Sequence, residues 1–387
     1  MKIADVRDYG AVADGQTLNT QAIQNSIDAC HGKGGGRVLC EGGSFRTGTL
    51  ILKSNVELTV VAGSRLLASE DLKDYQDLAA PGFTPGQGHE KSQNALILAH
   101  DAENIALTGR GEIYGSGLAF YDPASADKFG KLAKPSTPRP RLVMFYRCRN
   151  VLIEDLTFSE SACWNIWLMK CENVHIHRLK IFSNRRMRNV DGIDIDACRQ
   201  VTVSDCLMDT EDDCIAVRAM QDLYDSPAVC EDVTVSNCVF RTACNGIRVG
   251  CPGDGEIRNC VFGNLIISDS ARGIILQNPK VYLPEGSTGS ADIHDLLFSG
   301  ITITARLSPV WLYVEEGIRL KRFSDITFSD IQVVKSGGPF VIEGSPETLI
   351  HNIALNNIQM KTSATESLVL RHCAGITLTN FSVRDGI

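Results

Sequence analysis

Asn150-Val-Leu-Ile153, then Trp164-Asn-Ile-Trp-Leu168, then Asn173-Val-His-Ile176 is the stretch from which the fold can be read. A polar residue followed by Val or Ile, one further residue and a second apolar residue opens a short strand. The same pattern stands at Asn55-Val-Glu-Leu, Asn104-Ile-Ala-Leu, Gln200-Val-Thr-Val, Asp232-Val-Thr-Val, Asp325-Ile-Thr-Phe, Asn352-Ile-Ala-Leu and Gly375-Ile-Thr-Leu. Steps between adjacent copies run mostly in the twenties to low thirties, the range of one solenoid coil with loops inserted between coils. Between these copies lies a second register: Trp164-Asn-Ile-Trp-Leu168, Asp191-Gly-Ile-Asp-Ile195, Asp213-Cys-Ile-Ala-Val217, Asn245-Gly-Ile-Arg-Val249 and Arg272-Gly-Ile-Ile-Leu276. The expected fold is all-β, a right-handed parallel β-helix, read as a single domain over residues 1–387. About 1–70 form the N-terminal cap and first coils, and about 160–280 the coils that carry the chemistry.

Only one segment has helical periodicity. Asn19 to Cys30 opens on a capping-type Asn or Thr and places Ala22, Ile23, Ser26, Ile27 and Cys30 on one face. It predicts a short N-terminal helix that closes the first coil. Strand composition begins immediately after it, at Arg37–Cys40, Thr49–Leu52 and Val56–Val60.

If each copy of the second register is one coil, equal places stack at roughly 4.8 Å. The first place then forms a column of Trp164, Asp191, Asp213, Asn245 and Arg272, flanked by Asp212. Isolated Asp or Asn residues ordinarily end turns. A column of two carboxylates, an amide and a guanidinium is different, because stacked like charges cost stability unless something is gained from them. Cleavage of a glycosidic bond needs one carboxylic acid to protonate the leaving oxygen and one carboxylate on the opposite face of the sugar. Asp191, Asp212 and Asp213 supply both, and their repulsion is expected to keep one of them protonated near neutral pH.

The bulk properties exclude several alternatives. The 387 residues are 43% hydrophobic and 22% charged with a formal charge of −8 and no basic run, which argues against nucleic acid or an anionic membrane surface as partner. No run of about 18 apolar residues occurs. Met1 to Tyr9 lacks the continuous apolar stretch of a secretory signal peptide, so the expected location is cytoplasmic, with a secreted mature form as the alternative. The 14 Cys are spread through apolar strands and are expected to be reduced and buried. Neither zinc-type Cys spacing nor a calcium loop is present. Asp194, Asp196 and Asp209 would enlarge the acidic cluster, yet no metal and no cofactor are assigned. No pattern specifies an oligomeric state.

The chain resembles glycoside hydrolase family 28, the polygalacturonase family, over most of its length. The residues that carry the resemblance run in family order. They are Tyr9-Gly-Ala-Val-Ala-Asp-Gly15, the Thr20 to Cys30 helix, Gly34-Gly-Gly36, Gly48-Thr-Leu-Ile-Leu-Lys-Ser54, Arg139-Pro-Arg-Leu-Val-Met-Phe145 and Ala162-Cys-Trp164. Asn189-Val-Asp-Gly-Ile-Asp194 resembles the Asn-Thr-Asp motif, and Glu211-Asp-Asp-Cys-Ile-Ala216 the Gly-Asp-Asp motif. The resemblance implies an inverting hydrolase in which Asp212 is the general acid and Asp191 with Asp213 holds the attacking water.

Two departures bear on substrate. Cys244-Asn-Gly246 stands where the family has Gly-His-Gly, so Asn245 replaces a His thought to support the acid. Ile275-Leu-Gln277 stands where the family has Arg-x-Lys to hold a galacturonate carboxylate. Losing both charges removes the donors that charge-assisted recognition favours, so the subsite beside the scissile bond is expected to take a neutral sugar. Arg248, Arg272, or Arg319 with Lys321 are the candidates to restore a charge. The substrate-binding set is Asn189, Asp194, Asn245, Arg248, Arg272, Gln277 and Trp164, the last as a sugar-stacking ring.

Arg185, Arg186 and Arg188 read equally well as contacts for an acidic substrate or as a solvated loop. Leu118 to Pro140 reads as a long loop that walls one side and favours attack at chain ends. The expected partner is an oligosaccharide derived from pectin, either a rhamnogalacturonan or a galacturonan fragment. Two other readings fit the scaffold. One is a polysaccharide lyase or epimerase, which wants a basic residue and often a cation; the other is a catalytically inactive carbohydrate-binding protein, against which retention of all three Asp argues.

Overall fold

The computed structural model describes residues 3–84, 92–283 and 286–385. Strands and turns dominate, and the only α-helix among these residues is Thr20–Gly32. No helix among the described residues is long and apolar enough to cross a membrane. The chain forms two compact units, one of residues up to Ile193 together with Asp209–Glu211, the other of Asp194–Met208 together with the residues from Asp212 onward. Each is a stack of parallel coils, and the fold is an all-β right-handed parallel β-helix.

In the first unit, strands Glu103–Thr108, Arg149–Glu154 and Glu172–His177 pair in parallel with Ile105, Val151 and Val174 in register. A second sheet stacks Leu50–Ile51, Ala95–His100, Arg141–Tyr146 and Ile166–Met169. In the second unit the corresponding sheet runs through Ile215–Arg218, Asn245–Gly250, Arg272–Asn278, Val310–Val314, Phe340–Glu343 and Leu368–Arg371. Side chains that point inward form columns. Phe262, Phe298 and Phe328 are fully buried and stack ring on ring at 4.7 and 4.9 Å, with interplanar angles of 6° and 10°. Those separations are the strand spacing itself, read out by aromatic faces.

The polar first place of the repeat has a backbone cause. Asn55, Asn104, Asn150, Asn173, Gln200, Asp232, Asp325 and Asn352 all adopt φ between 53° and 65°, as does Gly375 at 64°. This left-handed corner turns the chain into the next strand. It excludes β-branched residues and favours Asn, Asp and Gly. Stacked corners then bond to one another through side-chain amides: Asn104 donates to Asn55, Asn150 to Asn104 and Asn173 to Asn150, each at 2.8 Å. Asn150→Ala is expected to cost about 2 kcal/mol, combining the left-handed penalty with two lost ladder bonds. Asn150→Gly recovers the backbone part only. Thermal denaturation of the three proteins checks it, and an Ala variant as stable as the parent would remove the ladder from the account.

The helix covers the first coil largely as its pattern suggests. Ile23, Ser26, Ile27 and Cys30 are its buried residues. Gln24 extends the sheet with its side chain, accepting the Ile51 N–H at 2.8 Å and donating to the Ile51 carbonyl at 3.1 Å. The expected cap differs. Asn19 precedes the helix but makes no side-chain bond to its first turn. Its amide instead accepts from Val12 N–H at 2.6 Å and donates to the carbonyls of Val12 and Thr17, tying the incoming chain to the helix start. Of the 14 cysteines, every one except Cys244 and Cys373 is buried.

Candidate active site

In the second unit, Asp212 and Asp213 follow directly on Glu211 and lead into strand Ile215–Arg218. Asp213 is 1% exposed. Its Oδ1 accepts from Asn245 Nδ2 at 2.6 Å, and its Oδ2 accepts from Arg248 Nε. Arg218, itself 3% exposed, brings Nη2 to 3.9 Å from the same Oδ2 and to 3.0 Å from Asp194 Oδ1. Asp213 is thus a carboxylate held in place by an amide and two guanidinium groups. Asp212 is different. It keeps partial solvent contact, and its carboxyl is pushed up from the ordinary Asp range, first by burial and then by the Asp213 charge beside it. Arg248, Arg218 and a hydrogen bond from the Cys244 thiol pull in the other direction without cancelling the shift. The adjacent pair is therefore unequal: the Asp212 carboxyl is pushed up, while Asp213 is tied to Asn245 and Arg248.

Asp212, Asp213 and Cys244 bring three possible metal-ligating atoms within 4.8 Å of one another. Arg248 already supplies the compensating positive charge at Asp213. A second such group, Glu256, Asp292 and His294, is likewise neutralised by its neighbours, with Arg258 on Glu256 and with Arg322 and Lys321 on Asp292.

In the first unit, Asp191 is 2% exposed, and its backbone carbonyl accepts from Asn165 N–H at 3.0 Å and from Asn165 Nδ2 at 2.7 Å. Asn189, half-buried, takes the left-handed conformation at φ 58°. The residues leading into this motif are clamped by the 118–140 loop. Leu132 N–H donates to the Arg186 carbonyl at 2.8 Å, and Arg188 Nε donates to the Leu132 carbonyl at 3.0 Å. Buried Arg139 donates to the Tyr121 hydroxyl and to the carbonyls of Ala162 and Arg188. Lys131 of the same loop bonds Glu211, the residue that stands in place of Gly ahead of the two Asp.

Several expectations need correction. Trp164 is only 5% exposed; it meets Trp167 edge to face at 5.2 Å, with the Arg141 guanidinium 4.7 Å above its ring. It is packing and offers no face to a sugar. Asp194 is fully buried against Arg218, and Asn245 is 1% exposed and spends its amide on Asp213. Both are taken up by partners within the protein, against the expectation that they face substrate. Arg248 is likewise committed to Asp213. Of the two readings left open for the arginines, the contacts favour the loop: Arg185 pairs with Asp209 at 2.8 Å, while Arg186 and Arg188 donate to loop carbonyls. Gln277 and Arg272 remain partly exposed. Sequence reasoning missed Arg218, Lys131 with Glu211, and the Cys244 thiol. Only the last gave a signal, its position beside the Gly-His-Gly departure.

Comparison with known proteins places this geometry. The family model described as glycosyl hydrolases family 28 matches residues 54–224 and 222–349. The "Probable polygalacturonase" of Vitis vinifera is 24% identical over 395 residues, covering 96% of this chain and 77% of its own length. The "Exo-poly-alpha-D-galacturonosidase" of Dickeya chrysanthemi is 31% identical over 252 residues, 55% of this chain and 41% of its own. Among solved structures, an exopolygalacturonase from Thermotoga maritima superposes with a TM-score of 0.81 at 24% identity, covering 98% of this chain and 92% of that one, which establishes the shared fold. The family match spans well over half the chain and takes in both acidic motifs, so this protein belongs to the glycosyl hydrolases of family 28 and is a glycoside hydrolase.

Proposed function

We propose that the chain is an inverting hydrolase acting from the ends of pectin-derived oligosaccharides, rhamnogalacturonan or galacturonan fragments, with a neutral sugar beside the scissile bond. Asp212 protonates the leaving oxygen, and Asp191 with Asp213 holds the water. The observation that carries the reading is the asymmetry of the adjacent pair: an Asp212 carboxyl pushed up by burial and the neighbouring Asp213, beside an Asp213 fixed by Asn245 and Arg248. The neutral subsite rests on Ile275, which is 1% exposed, and on Gln277, whose amide meets only the Cys251 sulfur at 3.9 Å among the described residues. Exo action is supported by the names of two similar proteins, both exo-acting. The test is to incubate the chain with a panel of pectic oligosaccharides and follow the anomeric configuration of the first product by NMR. A single end sugar released with inversion is expected. Retention of configuration, or release of internal fragments, would overturn the mechanism or the mode of attack respectively.

A further inference from the structure

The family's paired charges for a uronate are absent at Ile275 and Gln277, so any carboxylate on the substrate must be met elsewhere. The candidate cations of the second unit are not equivalent. Arg248 is spent on Asp213, and Lys321 on Asp292 at 2.7 Å. Arg319 is exposed, and its charge is among the groups that hold the Glu347 carboxyl below the ordinary range. Arg272 alone of the four is half-buried with no acidic partner among the described residues, and its buried Nε has no hydrogen-bond acceptor. A guanidinium in that condition is costly, since burial and the nearby Arg248 both disfavour its charge.

It is also preorganised. Its guanidinium lies 4.3 Å over the Trp311 ring, and Trp311 in turn leans on Tyr313 with ring centroids 5.0 Å apart. Strand register places Arg272 beside Asn245, the residue that bonds Asp213. Two coil steps therefore separate it from the fixed carboxylate, about 10 Å at the ordinary strand spacing. Trp311 stands next to Ile275 and Tyr313 next to Gln277, so the clamp adjoins the positions where the family charges are missing.

We propose that Arg272, held on Trp311, is the anchor for a uronate carboxylate, one sugar removed from the neutral subsite. The site thereby selects oligosaccharides in which acidic and neutral sugars alternate. The proposal rests on the hydrolase reading for its substrate, but binding alone can test it. The probes are an unesterified galacturonate tetrasaccharide, its methyl ester, and a tetrasaccharide alternating galacturonate and rhamnose, titrated calorimetrically into the full chain and into Arg272→Gln.

The native protein is expected to prefer the unesterified galacturonate tetrasaccharide over its methyl ester. Arg272→Gln should weaken acidic binding by about 10-fold to 100-fold, the worth of hydrogen bonds to a charged group, with ester binding unchanged. Arg272→Lys, which keeps the charge but not the fork or the stacking, should fall between, and it decides the matter if the Gln variant does not fold. Equal native binding of acid and ester, or an undiminished acid preference in the variants, overturns the anchor. Failure of the hydrolase reading shows separately, as native chain that binds the acidic probes and releases no product.

Discussion

Asp212→Asn is expected to lower kcat by two to four orders of magnitude, the contribution of a positioned general acid. Asn preserves the shape and most of the bonding of the carboxylic acid but has no proton to give. The pH profile carries the sharper signature. The active form of Asp212 is protonated, and burial together with the Asp213 charge raises its carboxyl above the ordinary range. The alkaline limb of kcat therefore lies above the ordinary carboxyl range near 4, and it disappears from the residual activity of the variant. Stability moves in the opposite direction. A carboxyl whose folded pKa is raised contributes stability below its unfolded pKa and loses it as pH rises through the folded value. The Asn variant is accordingly expected to melt above the parent at pH 8 and level with it near pH 3, a trade of stability for activity at the site. Equal melting temperatures at pH 8, or an alkaline limb retained in the variant, would reassign the acid.

Arg218→Met carries the largest expected effect on folding. The guanidinium is 3% exposed and serves two buried carboxylates, Asp194 and Asp213. Removing it takes the Arg218 partner from buried Asp194 and weakens the hold on Asp213, which costs about 3 to 5 kcal/mol for a broken buried pair. A fall in melting temperature on the order of 10 °C follows for a unit of this size. The double variant with Asp194→Asn removes the stranded charge and is expected to recover part of that loss, a coupling that a double-mutant cycle measures. A single variant that melts with the parent would mean that the Arg218 pairs add nothing net to stability.

The coil repeat was legible because its polar first place answers to a backbone demand. A corner at φ near 55° admits few residue types, so Asn, Asp and Gly recur there whatever surrounds them. Asp191, Asp212 and Asp213 stand out in the sequence for a related reason: glycosidic cleavage calls for carboxylates, and the two motifs set them in chain order. What stayed hidden depends on which side chains meet between coils. Nothing in the sequence says that Arg218 reaches Asp194, that Lys131 crosses 80 positions to Glu211, or that Trp164 turns inward against Trp167. Arg186 and Arg188 stayed open between two readings for the same reason. Their charge suggested an acidic partner, whereas their donors satisfy carbonyls of a long loop that has little regular structure of its own to do so.

The buried thiols give the molecule an internal record of its own opening. Because they are distributed from Cys30 to Cys260, and only Cys244 and Cys373 are not buried, an alkylating reagent can reach most of them only where a coil has parted from its neighbours. Mass spectrometry of the chain after timed exposure would then order the coils by their local stability, with each cysteine reporting the turn in which it lies.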